Sequence, residues 1–135
     1  MNDPAGALVE GFSVTHRGYV SHSHAHYGGG LVDGAYALGM FGDVATEMMI
    51  RTDGDEGLFA GYSSIEFAAP IQAGDVIEAT GTLVRVGNRS REIAFEARVT
   101  CRSAATRGPS AADVLDSPLV VTTARGTVVV PKPVG

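Results

Sequence analysis

Only one stretch of this chain has a helical period: LVDGAYALGMFGDVATEMMI, residues 31–50. Apolar residues stand at 31, 32, 35, 38, 41, 45, 48 and 49, a spacing that gathers them on one helical face. A helix of that length measures about 30 Å. Gly34, Gly39 and Gly42 lie within it, each weakening it by up to about 1 kcal/mol relative to alanine. A helix that keeps them is expected to have another backbone close by and to be wrapped rather than exposed. One helix cannot supply the crossovers of a parallel sheet, so the remaining strands must be mostly antiparallel.

The strands are legible on either side. LVEGFSVTHRGYVSH (8–22) mixes β-branched and aromatic residues in rough alternation. TDGDEG (52–57) is a turn by composition. LFAGYSSIEFAAP (58–70) alternates and stops at Pro70, and residues 76–102 form two strands meeting at Gly87-Asn88, a hairpin signal. SAATRGPSAADVLDS (103–117) is expected to be a surface loop with one helical turn at 110–115, followed by a last long strand over 118–131. Burying one face of such a sheet against one helix gives a two-layer α+β domain spanning residues 1–135.

Charge and cysteine usage exclude several functions. A net charge of −5 argues against general affinity for nucleic acid or an anionic membrane. No run of about 18 apolar residues is present to span a bilayer. A single cysteine, Cys101, rules out an internal disulfide and a cysteine-based zinc site. The opening MNDPAGALVEGF lacks the basic and apolar regions of a signal peptide, so a cytoplasmic setting is expected. Lys132 is the one lysine, which leaves arginine to carry nearly all the positive charge. Its planar fork suits fixed phosphate contacts.

Three groups of residues have the chemistry for a site. Asp43 and Glu47 stand four apart, so on a helix they share a face. Mutual repulsion in a low dielectric is expected to raise at least one pKa, as suits a base that takes a proton and returns it. The alternative is that both are solvated decoration. Gly28, Gly29 and Gly30 precede the helix, where free N–H groups attract negative charge, or they simply make a turn. His22, His24 and His26 project to one side if the backbone is extended. Structural zinc takes four ligands, so the run alone does not complete a metal site, and none is expected. His22 and His24 then read as loop residues or oligomer contacts.

Longer motifs carry a resemblance. IEFAAPIQAGDVIEATGTLVRVGNRS (65–90) resembles the sheet of acyl-CoA-binding hotdog proteins, with its aromatic-x-x-Pro and Gly-Asp steps. HYGGGLVDGA, GDVATEMM, GYSSIEF and VGNRS together are similar to the β-alanyl-CoA:ammonia lyases and 3-aminobutyryl-CoA ammonia lyases, over about His26 to Val99. Gly30 and Asp33 depart from the amide-type residues expected at their positions. The resemblance implies a hotdog fold, with one long central helix wrapped by a curved, mainly antiparallel five-stranded sheet. It implies a carbon–nitrogen lyase in which a carboxylate abstracts the α-proton of a β-aminoacyl-CoA and ammonia leaves. Asp43 and Glu47 become the catalytic carboxylates, with His26 or Tyr27 meeting the thioester or moving a proton. The N–H groups of Gly28–Gly30 would steady the enolate oxygen. Arg85, Asn88, Arg89, Ser90 and Arg91, with Arg98 and Arg102, become candidates to dock coenzyme A phosphates.

No cofactor is implied beyond the coenzyme A of the substrate. A hotdog thioesterase, with one acid activating water, and a non-catalytic acyl-CoA-binding protein are the competing functions. Uncovered sheet edges lead to the expectation of a homodimer, assembled further into a hexamer.

Overall fold

The computed structural model describes residues 9–131. Its elements run β1 (Ser13–Tyr19), β2 (Leu31–Val32), α1 (Ala35–Asp53), β3 (Leu58–Phe67), β4 (Ile71–Gln72), β5 (Val76–Val86), β6 (Ser90–Ser103) and β7 (Ala112–Val129). Five strands form one sheet in the order β1-β5-β6-β7-β3, antiparallel at every step. β2 and β4 make a separate two-residue antiparallel ladder. The expected five-stranded antiparallel sheet with one helix is therefore present.

β5 and β6 alternate buried and part-exposed residues along most of their length, as strands with one covered face do. Ile77, Ala79 and Leu83 of β5 join Ile93, Phe95, Ala97 and Val99 of β6 in the core. Against them lie Ala37, Phe41, Val44, Ala45, Met48 and Met49 from one face of α1. Phe41 stacks on Phe95 at 4.9 Å between ring centroids. Each valine, leucine, isoleucine, phenylalanine or methionine among them contributes about 1.5–3 kcal/mol on full burial, so this seam fixes the rotation of α1 about its axis.

The close backbone approach comes from the sheet rather than the helix. A Cβ on Gly81 of β5 would sit 2.8 Å from Val44 Cγ1. Gly39 and Gly42 have nothing within 4 Å of such a Cβ, and α1 keeps Gly39, Asp43, Thr46 and Ile50 exposed on its outer side. The expectation of a fully wrapped helix is thus corrected, because the sheet covers one face only. Gly34 does meet a close neighbour, because a Cβ there would clash with the Phe67 ring.

Two boundaries also move. Leu31 and Val32 pair with Gln72 and Ile71 instead of opening the helix, and α1 continues to Asp53. It ends at Gly54, whose φ of 67° lets its N–H reach the Ile50 carbonyl. No helical turn forms at 110–115. β7 begins at Ala112 and pairs Ala112, Asp113 and Val114 with Ser103, Arg102 and Cys101. The register slips between Val99 and Cys101, and Pro118, which has no N–H to donate, falls in the slipped segment. The first eight of the opening residues read for a signal peptide, and Lys132, lie outside the described residues.

Candidate functional site

A largely apolar groove of about 600 Å³ lies where α1 begins. Leu31, Val32, Asp33, Gly34 and Ala35 form one wall and Phe67 to Ile71 the other, with Tyr27 and Thr122 completing it. Gly34 caps α1 without a side-chain hydrogen bond. The first turn of the helix therefore offers uncapped N–H groups and the positive end of its dipole to the groove. Tyr27 is well exposed and packs edge-to-face on His26, at 4.6 Å between centroids. The N–H groups of both donate to the Leu31 carbonyl, at 2.8 and 2.9 Å.

Gly28–Gly30 does not open α1, as the sequence suggested. It is a single 3₁₀ turn separated from the helix by β2, with Gly29 and Gly30 at φ of 75° and 77°. These are backbone angles that only glycine adopts readily. The turn aims the chain into the β2–β4 ladder, and the Gly30 carbonyl accepts from Ala73 N–H at 2.9 Å. Residues 22–24 are likewise a 3₁₀ turn and not extended, so the histidines do not project together. Among the described residues no three His, Cys, Asp or Glu side chains are grouped to hold a metal ion.

Asp43 and Glu47 occupy successive turns of α1, but their surroundings differ. Asp43 is exposed and borders a shallow hollow with His24, Asp33, Tyr36 and Met40. Glu47 is engaged at both oxygens: His16 Nε2 donates to Oε1 at 2.7 Å and Arg51 Nε to Oε2 at 2.8 Å. These bonds, Arg51's first and then that of His16, hold the Glu47 carboxyl below the usual glutamate range. The expected upward shift is corrected for this residue, because two donors stabilise the anion more than burial disfavours it.

The hairpin arginines are largely committed to acids within the chain. Arg91 is buried, with Nη2 2.7 Å from Asp53 Oδ1 and Nη1 donating to the Gly87 and Ser90 carbonyls. Arg102 pairs with buried Asp75 at 2.9 Å, Arg98 with Glu78 at 3.2 Å, and Arg85 with Glu92 at 3.5 Å. Arg89 has no acidic partner among the described residues, and it borders a second hollow with Asn88 and Asp53. The five side chains do not form one phosphate patch.

Comparison with known proteins decides what this arrangement belongs to. Residues 29–103 match the model of the Thioesterase superfamily. Over 113 residues the chain is 55% identical to the 3-aminobutyryl-CoA ammonia lyase of Acetoanaerobium sticklandii, covering 84% of this chain and 90% of that protein. The chain belongs to the CoA ammonia lyases of the thioesterase superfamily. The solved β-alanyl-CoA:ammonia lyase from Clostridium propionicum superposes with a TM-score of 0.85 at 37% identity, over 90% of this chain and 87% of that one. A Staphylococcus aureus acyl-CoA hydrolase solved with butyryl coenzyme A shares the fold, with a TM-score of 0.68 at 15% identity over 87% of this chain and 62% of that one. The lyase resemblance and the hotdog fold are both borne out.

Within this lyase, sequence reasoning passed over two neighbours of the site. His16 is the partner of Glu47, and its signal was its place between Val14 and Gly18 on the helix-facing alternation of β1. Phe67 was read only as part of a motif, whereas its ring packs on Gly34 and forms part of the groove.

Proposed function

We propose that this lyase eliminates ammonia from a short-chain β-aminoacyl-CoA, 3-aminobutyryl-CoA or β-alanyl-CoA, to give the enoyl-CoA. The identity to the 3-aminobutyryl-CoA ammonia lyase, over nearly all of that protein, carries the reading. The thioester acidifies the α-hydrogens. A carboxylate takes one as a proton, the C–H electron pair becomes the new C=C bond, and the Cβ–N pair leaves with neutral ammonia. No electron acceptor is required, and the only coenzyme is the one the substrate carries.

The residues divide the work by what is free to act. The thioester oxygen meets the uncapped first turn of α1 at Gly34 and Ala35, where developing negative charge is stabilised. Tyr27, braced by His26, offers a hydroxyl beside it. Asp43 is assigned as the base, since no ion pair among the described residues occupies it. Glu47 is a fixed anion on the next turn. Asn88 and Arg89 are the hairpin residues left to meet a coenzyme A phosphate. The setting is cytoplasmic, in keeping with an unpaired Cys101, and among the described residues no helix is long and apolar enough to cross a membrane.

Mixing the protein with crotonyl-CoA and ammonia tests the reaction in reverse. Loss of the enoyl chromophore that requires ammonia and releases no free thiol is the expected result. Thiol release independent of ammonia would make the protein a thioesterase instead.

A further inference from the structure

We infer that Asp33 is the residue that recognises the substrate's ammonium group and so selects β-aminoacyl-CoA over uncharged acyl-CoA. The inference rests on the lyase reading above. It starts from the lining of the groove at the head of α1, where Asp33 is the one charged residue among otherwise apolar, glycine, tyrosine and threonine side chains. A cation entering an apolar channel loses hydration and gains most from the nearest anion, because the local dielectric is low.

Asp33 is part-buried, and no ion pair among the described residues involves it. Its backbone is fixed from both sides. Val32, immediately before it, is buried and paired with Ile71 in the β2–β4 ladder. Its own carbonyl accepts from Tyr36 N–H at 3.3 Å in the first turn of α1.

Position completes the case. Asp33 and Ala35 border both the apolar groove and the hollow that holds Asp43. The substrate's amino group is on the carbon next to the one that loses its proton. One carboxylate for the ammonium and another for the α-proton must therefore stand at neighbouring places, and Asp33 joins the two cavities in which they lie. Neutral butyryl-CoA has the same acyl length and nothing to offer this carboxylate.

The test measures binding of 3-aminobutyryl-CoA and of butyryl-CoA to the wild type, Asp33→Asn and Asp33→Glu by calorimetry, with ammonia release followed in parallel. Wild type is expected to prefer the aminoacyl thioester. Asp33→Asn should weaken that ligand by roughly 10- to 100-fold, the range of one charge-assisted hydrogen bond, and leave butyryl-CoA within about twofold. Asp33→Glu, which keeps the charge, should restore part of the preference. Equal loss for both ligands in Asp33→Asn, no loss for either, or a wild type that binds both alike would each overturn the inference. A wild type that prefers the aminoacyl thioester through Asp33 and yet releases no ammonia would keep the inference and remove the lyase reading.

Discussion

Two acids one helical turn apart are chemically unequal here. Asp43 stands in the open beside a hollow, while Glu47 accepts from both His16 and Arg51. Asp43→Asn keeps shape and removes basicity, so ammonia addition to crotonyl-CoA should fall by about 10²- to 10⁴-fold, the usual contribution of a general base. Coenzyme A binding should be retained, and steady-state kinetics beside calorimetry read both. For Glu47 the test is pH. A carboxyl lowered in the folded state adds stability above its unfolded pKa, and that stability disappears as pH falls through the folded value. Arg51→Met removes the larger of the two causes of that lowering. The variant should be less stable than wild type near neutral pH, with the difference closing on the acid side in denaturant titrations at several pH values. If ionised Glu47 is needed for the reaction, the acidic limb of kcat/KM moves to higher pH in the same variant. An unmoved limb would take Glu47 out of the rate. The carboxylate pair was legible from a four-residue spacing. Its inequality was not, because His16 lies 31 positions away and reaches Glu47 only once β1 pairs with β5.

At the scale of elements, legibility followed burial. β5 and β6 declared themselves through strict alternation, since one side of each faces Phe41, Val44 and Met48. Residues 112–117 carry no such alternation, because that end of β7 is largely exposed and held mainly by backbone pairing, with an Arg107–Asp113 ion pair beside it. Their charged and small residues resembled a loop for that reason. The arginines misled in the same direction: a charge run on a hairpin suggests an external partner, but Asp53 at the end of α1 and Asp75 before β5 satisfy two of them internally. Arg91 in particular ties the hairpin turn to the last turn of α1. Arg91→Ala leaves Asp53 without its buried cation, a change that costs about 3–5 kcal/mol. Chemical denaturation should show that loss, whereas Arg89→Ala, at a side chain with no acidic partner, should leave stability nearly unchanged. A similar loss in Arg89→Ala would mean that the two arginines do not have separate roles.

For the whole molecule, the open question is what covers β3. It is an edge strand of the five-stranded sheet, paired with β7 on one side only. Leu58, Ile65 and Phe67 are exposed along it, and the groove wall at Phe67 stands at its end. An apolar edge strand with free N–H and C=O groups recruits another strand unless charge or proline protects it, and the only acid on β3 is Glu66. A second copy joining edge to edge would extend the sheet and close the groove against water. A homodimer built this way, in a hexamer of three such dimers, is the assembly expected from the sequence, and solution mass tests it. Light scattering at micromolar concentration should therefore give a mass well above the 13.9 kDa of one chain. Leu58→Lys together with Ile65→Lys places like charges on the joining edge and should shift the population toward monomer. The monomer should lose ammonia addition even though Asp43 and Glu47 are untouched. Wild type running as a monomer would refute the shared sheet, and a charged variant that stays dimeric would place the interface on another face.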